Sequence, residues 1–206
     1  MRQLHSRRLQ SLAVCATVLA AIQSVPASAL ADPAQTQTSS LCQNPGFEQV
    51  DNKNSALAAN WHGMGTRAAG KARTGSYALK FDGAGISTGR ALSEESFIAP
   101  ETVKAGQTLR VSGWAMAEAA LPPGSIGLIQ LDVSDSSWQH ITTAKAVVLT
   151  SVAAPGKWIT SAGTLKVPVE FDRTWHAKVT FSVWSPKNDS APAVAYFDDI
   201  SVEPVP

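Results

Sequence analysis

From residue 44 to residue 203 the chain is a succession of short runs in which apolar and polar positions alternate, broken by Gly, Pro, Ser and Asp. A period of two is the signature of a half-buried strand. The pattern predicts strands at 46–50, 66–72, 75–82, 94–98, 107–118, 126–134, 140–149, 157–167, 174–184 and 193–203. No amphipathic helix of more than two turns is evident, and the best helical stretch, "ALSEESF" (91–97), is weak. Many short strands at this spacing predict an all-β sandwich or barrel. The alternation also assigns faces. In "TWHAKVTFSVW", Trp175, Ala177, Val179, Phe181 and Val183 form an apolar face, and His176, Lys178, Thr180, Ser182 and Trp184 lie opposite. In "IGLIQLDVS", Ile129, Leu131 and Val133 point inward, with Gln130 and Asp132 on the other side.

The N-terminus has a different character. Arg2, Arg7 and Arg8 precede the apolar run "LAVCATVLAAI", and small residues end in Ala-Leu-Ala before Asp32. This predicts a cleaved signal peptide over 1–31 and a secreted or periplasmic protein. The polar stretch that follows predicts a flexible lead-in over 32–43, leaving 44–206 as one domain, expected to be monomeric. No later run approaches the ~18 apolar residues a membrane span needs. Cleavage removes Cys15 and leaves only Cys42, so no intramolecular disulfide forms and the core must supply the stability. A net charge of +1 is not the basic footprint of a nucleic-acid binder.

The order of motifs then becomes informative: "NPGFEQV" (44–50), "NW" (60–61), "RTGSYALKF" (73–81), "LRVSGWAMA" (109–117), "GKWITSAGTLKVPVE" (156–170) and "AYFDDISV" (195–202). Over residues 44–203 this resembles the jelly-roll carbohydrate-binding modules of the family 4/9/22 type, within the galactose-binding-like group. The resemblance implies a two-sheet jelly-roll β-sandwich. One sheet would hold 75–82, 193–203, 107–118 and 157–167; the other, often concave and glycan-binding, would hold 94–98, 174–184, 126–134 and 140–149. It also implies that Glu48 and Asp198 come together to bind a structural Ca2+, with Asp199 alternating to the opposite side. A hard cation that takes six to eight oxygens suits carboxylates on separate segments. The alternative is two ordinary strand-end acids.

Sugar recognition needs flat apolar rings beside polar groups that fix orientation. Among the six tryptophans, Trp61, Trp158 and Trp175 are expected to be structural, and Trp114 is left open. Trp184 and Trp138, with His176, Lys178, Gln130, Asp132 and His140, form the expected surface for a polysaccharide or oligosaccharide. The alternative is a solvated face with one tryptophan packed over a loop. No G-x-S-x-G elbow, H-E-x-x-H or zinc-spaced His/Cys set occurs. "GMGTRAAG" (63–70) contains G-x-G but precedes a strand, so it is no dinucleotide fingerprint. The expected function is non-catalytic polysaccharide binding. A small jelly-roll polysaccharide lyase or glycoside hydrolase is the enzyme alternative; on this face Asp132 is the only clear carboxylate, and a hydrolase needs two. A surface or matrix adhesion domain is the third class, because fold does not fix function.

Overall fold

The computed structural model describes residues 40–82, 91–186 and 194–206. The expected signal peptide, residues 32–39 of the lead-in and an Asn-Asp-Ser sequence of the N-glycosylation type at 188–190 lie outside these residues.

Among the described residues, ten strands form two antiparallel five-stranded sheets. The front sheet runs β1 (His62–Gly63), β4 (Leu92–Ile98), β9 (His176–Trp184), β6 (Ile126–Ser134) and β7 (His140–Thr150). The back sheet runs β2 (Thr66–Ala69), β3 (Tyr77–Phe81), β10 (Ala195–Val205), β5 (Thr108–Ala117) and β8 (Ile159–Lys166). Leaving aside the short edge strands β1 and β2, this is the jelly-roll order expected from the sequence, with the same four strands in each sheet. A single 3-10 turn, Pro100–Thr102, is the helical element among the described residues.

The inward faces of the two sheets form the core. On β9, Ala177, Val179, Phe181 and Val183 are buried and their neighbours are half-exposed. Phe181 is the centre of an aromatic cluster: Phe197, Trp61, Phe47 and Phe81 lie 4.7, 5.1, 5.7 and 5.7 Å from it, centroid to centroid. Such offset and edge-on pairs add about 0.5–1.5 kcal/mol each beyond area burial. At one side the two sheets close on each other. A Cβ on Gly163 of β8 would lie 2.5 Å from the Lys145 carbonyl of β7, so only glycine permits this approach, which fixes the edge strand carrying Lys145.

Three expectations are corrected. Residues 46–50 are not a strand. They form a compact turn with one bridge, Val50 to Ala58, built by the Asn44 side chain, which accepts from Gln49 N–H and donates to the Gln49 and Ala59 carbonyls. Asn44 and Phe47 both take left-handed backbone, φ 50° and 59°, which local alternation cannot signal. Of 66–72 only Thr66–Ala69 is strand, whereas the strand expected at 94–98 is present and begins at Leu92, inside the weak helical stretch. Finally, the chain is already pinned at residue 40. Leu41 N–H donates to Val202 O, Val202 N–H donates to Ser40 Oγ, and Cys42 is buried. Burial pushes the Cys42 thiol up to about 12, so it is a small core residue and not a reactive thiolate.

Candidate functional site

The outer face of the front sheet gathers polar side chains from all five strands. Register sets them in rows, because residues paired directly across antiparallel strands share a face. The central row is His62, Glu95, Thr180, Gln130 and Lys145. The next is Phe97, Lys178, Asp132 and Thr143. Beyond it stand His176, Ser134 and His140. Toward the other end come Ser93, Ser182, Leu128 and Val147, then Trp184 with Ile126. From His176 to Trp184 the face extends about 26 Å along β9.

All seven residues expected for the glycan surface lie on this face or at its rim, but their states differ. Trp138 sits in the β6–β7 turn with left-handed backbone, φ 64°. Asp135 builds that turn by accepting from Ser137 and Gln139 N–H at 2.8 and 2.9 Å. The strained backbone aims the indole over the sheet, where it stacks on the His176 ring at 3.6 Å and 7°. Phe97 meets the same indole edge to face at 5.8 Å. Trp184 is 38% exposed and has no ring partner among the described residues. Lys178 donates to Glu95 at 2.7 Å. Asp132 accepts from the Thr143 hydroxyl at 2.6 Å and lies 3.9 Å from His140. Gln130 and Lys145 make no side-chain bond among the described residues. Thr180 Oγ1 is buried and unpartnered.

Sequence reasoning missed Glu95, Phe97, Thr143, Lys145 and His62, while it placed Thr180 on this face. The omission of Glu95 matters, because it overturns the expectation that Asp132 is the face's only clear carboxylate. Glu95 on β4 and Asp132 on β6 flank β9, so they are about 10 Å apart across the sheet, with a further register step between them.

Glu94 points the other way. It is 1% exposed between the sheets, and its partner is the Gly65 N–H at 2.9 Å. Burial, opposed by that bond and aided by Glu95 nearby, pushes its carboxyl up to about 7. This also explains "GMG". A Cβ on Gly63 would come 2.6 Å from the Glu94 carboxylate, and one on Gly65 would overlap Leu79.

The remaining expected site lies at the opposite corner. Glu48 Oε1 accepts from Ser76 and Tyr77 N–H at 2.8 and 3.0 Å. Asp198, fully buried, accepts from Arg73, Thr74 and Asp199 N–H at 2.7, 3.2 and 2.8 Å. The two carboxylates thus grip the 73–77 turn from either side, and a Cβ on Gly46 would lie 3.7 Å from Asp198 Oδ1. Burial and the neighbouring Asp199 carboxylate push Asp198 up to about 6, against the pull of the N–H donors. Asp199 does not alternate away as expected. A bulge between Asp198 and Ser201 turns it back, and it bonds Arg73 at 2.7 Å and Thr74 at 2.6 Å. A carboxylate has about four lone-pair sites, so roughly one remains on Asp198 and two on Glu48. The described residues bring no third His, Cys, Asp or Glu side chain to metal distance. A calcium ion here would therefore draw most of its oxygens from backbone carbonyls and water, a donor set that suits a hard cation.

No protein-family model matches the chain, and no curated protein is similar to it in sequence. Solved structures do share its fold. The CBM22-2 xylan-binding domain from Paenibacillus barcinonensis Xyn10C is similar at a TM-score of 0.52 and 15% identity, over 73% of this chain and 94% of that one. The CBM22-1 xylan-binding domain of the same protein is similar at 0.50 and 15%, over 78% and 91%. An α-L-arabinofuranosidase bound to arabinose is similar at 0.52 and 14%, over 81% of this chain but 26% of that one. The fold is therefore the β-sandwich of the jelly-roll carbohydrate-binding modules. Among the described residues no helix is long and apolar enough to cross a membrane.

Proposed function

We propose that the front face binds polysaccharide without cleaving it. One observation carries the reading: an exposed Trp184 and the Trp138–His176 stack stand at the two ends of a sheet face whose middle is half-buried polar side chains. Rings supply apolar area at low entropic cost, and the Gln130, Lys145 and Asp132 groups between them supply orientation. The two xylan-binding modules that share the fold support the reading. It includes export, with the chain acting outside the cytoplasm after cleavage behind Ala31, and a calcium at Glu48 and Asp198 that reinforces the 73–77 turn. The test is a retention screen of the mature chain on soluble and insoluble polysaccharides, with product analysis on every sample. Retention without products is expected. Neither retention nor products across neutral and acidic polymers would move the protein to the adhesion class. Chelation is expected to lower the melting temperature, and an unchanged curve would leave the amide network as the only staple.

A second reading rests on Glu95. Two carboxylates now share the face, as a glycoside hydrolase requires. Against it, the 2.7 Å Lys178 contact engages Glu95 as an anion, whereas hydrolysis needs one carboxyl to hold a proton. New reducing ends in the screen, lost in Glu95→Gln, would establish this reading instead.

A further inference from the structure

The charges of the front face have a pattern that the fold does not require. The chain has four histidines. The three that are described, His62 on β1, His140 on β7 and His176 on β9, all stand on this one face. Both acids there already have partners: Glu95 has Lys178, and Asp132 has Thr143 and His140. Lys145 is exposed on the central row and has no ion pair among the described residues. The lysines and acids therefore cancel in number, and what is left unbalanced is the histidines.

Resting on the reading above, we propose that the ligand is an anionic polysaccharide, carrying carboxylates or sulfates, and that its binding strengthens on mild acidification. Histidine is the side chain that gains charge between neutral and mildly acid pH. Protonation adds up to three positive charges to a face whose lysines and acids already balance in number, and only the one on His140 falls beside an acid without a lysine partner, Asp132. The groups opposite each are few. His62 faces Glu95 on β4, which Lys178 already engages. His140 faces Asp132 on β6. His176 faces Ser134 on β6 and the Trp138 indole from the turn, with Lys178 two residues along its own strand. A protonated imidazole stacked on an indole is also a cation–π pair, so acid tightens the Trp138 platform as it raises the field. The cations stand on β1, β9 and β7, about 19 Å from the first of these strands to the last. A polymer with repeating anions reaches them together; a single sugar does not.

The experiment measures affinity of the full mature chain for polygalacturonate, dextran sulfate and a neutral β-glucan at about pH 5.5 and 7.5. The expected result is binding to an anionic polymer that is at least about tenfold tighter at the lower pH and weakened by salt. Lys145→Gln is expected to lose several-fold on the anionic polymer alone. Glu94→Gln is expected to keep the acid dependence, since that carboxyl faces the core. The two anionic arms separate carboxylate from sulfate recognition. Tighter binding of the neutral glucan, equal at both pH values, would overturn the inference and leave polysaccharide binding standing. Anionic retention that survives Trp184→Ala undiminished would also overturn it, as charge attraction without a site. Retention of no polymer would remove the reading on which it rests.

Discussion

The two outer faces of the sandwich both carry tryptophans, yet they treat them differently. On the back sheet, Trp114 lies under the Arg73 guanidinium at 3.8 Å, and Arg73 is itself held by Asp199 at 2.7 Å. Trp158 packs on the small outer cluster of Ala78, Met116 and Tyr196. On the front sheet, Trp138 is backed by His176, and Trp184 has no ring partner among the described residues. A ring covered by an anchored guanidinium has given up a face to the fold. A ring stacked on an imidazole, or on nothing, keeps a face for a ligand. The carboxylates divide in the same way. Asp198 and Glu48 are bonded by backbone N–H groups that cannot move without unfolding a turn, whereas Glu95 and Asp132 are bonded by side chains that can swing.

The sharpest break of this comparison is Asp198→Ala. It strands the N–H groups of Arg73, Thr74 and Asp199 in a buried corner. At about 1 kcal/mol per lost bond, the expected cost is about 3 kcal/mol. For a domain of this size that is a fall of roughly 6–12 °C in melting temperature, with polysaccharide retention unchanged well below the transition. A loss under about 1 kcal/mol would mean that Glu48 alone holds the turn.

The next test sets the two faces against each other. Trp184→Ala is expected to cut affinity at least tenfold, about 1.4 kcal/mol or more, with little change in melting temperature. Trp114→Ala is expected to do the reverse, lowering stability through the lost Arg73 stack and leaving affinity alone. Equal affinity losses in both would show that the back sheet also contributes to binding.

How much of this was legible depended on whether a strand obeys its own alternation. β9 and β6 do, so their faces, and with them Lys178, Gln130 and Asp132, could be read residue by residue. β4 does not. In "LSEESFI" the inward positions include Glu94 and Ser96, so its apolar residues fall out of phase, the stretch looks partly helical, and Glu95 and Phe97 are hidden. Lys145 was lost because its inward neighbours are the small Ala144 and Ala146, which mark the alternation of β7 only weakly. Asp199 was misplaced by the bulge in β10. The turn at 44–50 is set by the side chain of Asn44 bonding residues up to 15 positions away. The Trp138–His176 stack needs a left-handed turn and a tertiary contact 38 residues apart. Period-two patterning carries neither.

The smallest expected effect concerns Glu94, which separates the front face's interior from its surface. Its carboxyl rises from 4.5 to about 7 on folding because burial disfavours the anion. The native state therefore holds a proton over a range where the unfolded chain has lost it, and stability falls as pH rises through that window. Asp198 has the same sign but a lower window, from 3.8 to about 6, so above pH 6 most of the slope belongs to Glu94. Between pH 6 and 7.5 the loss is expected to be about 1 kcal/mol, read as a melting temperature lower by roughly 2–4 °C. Glu94→Gln keeps an acceptor for Gly65 N–H and cannot ionise, so the slope in this range should flatten. A slope that persists in the variant would show that Glu94 is not the group that titrates in this range.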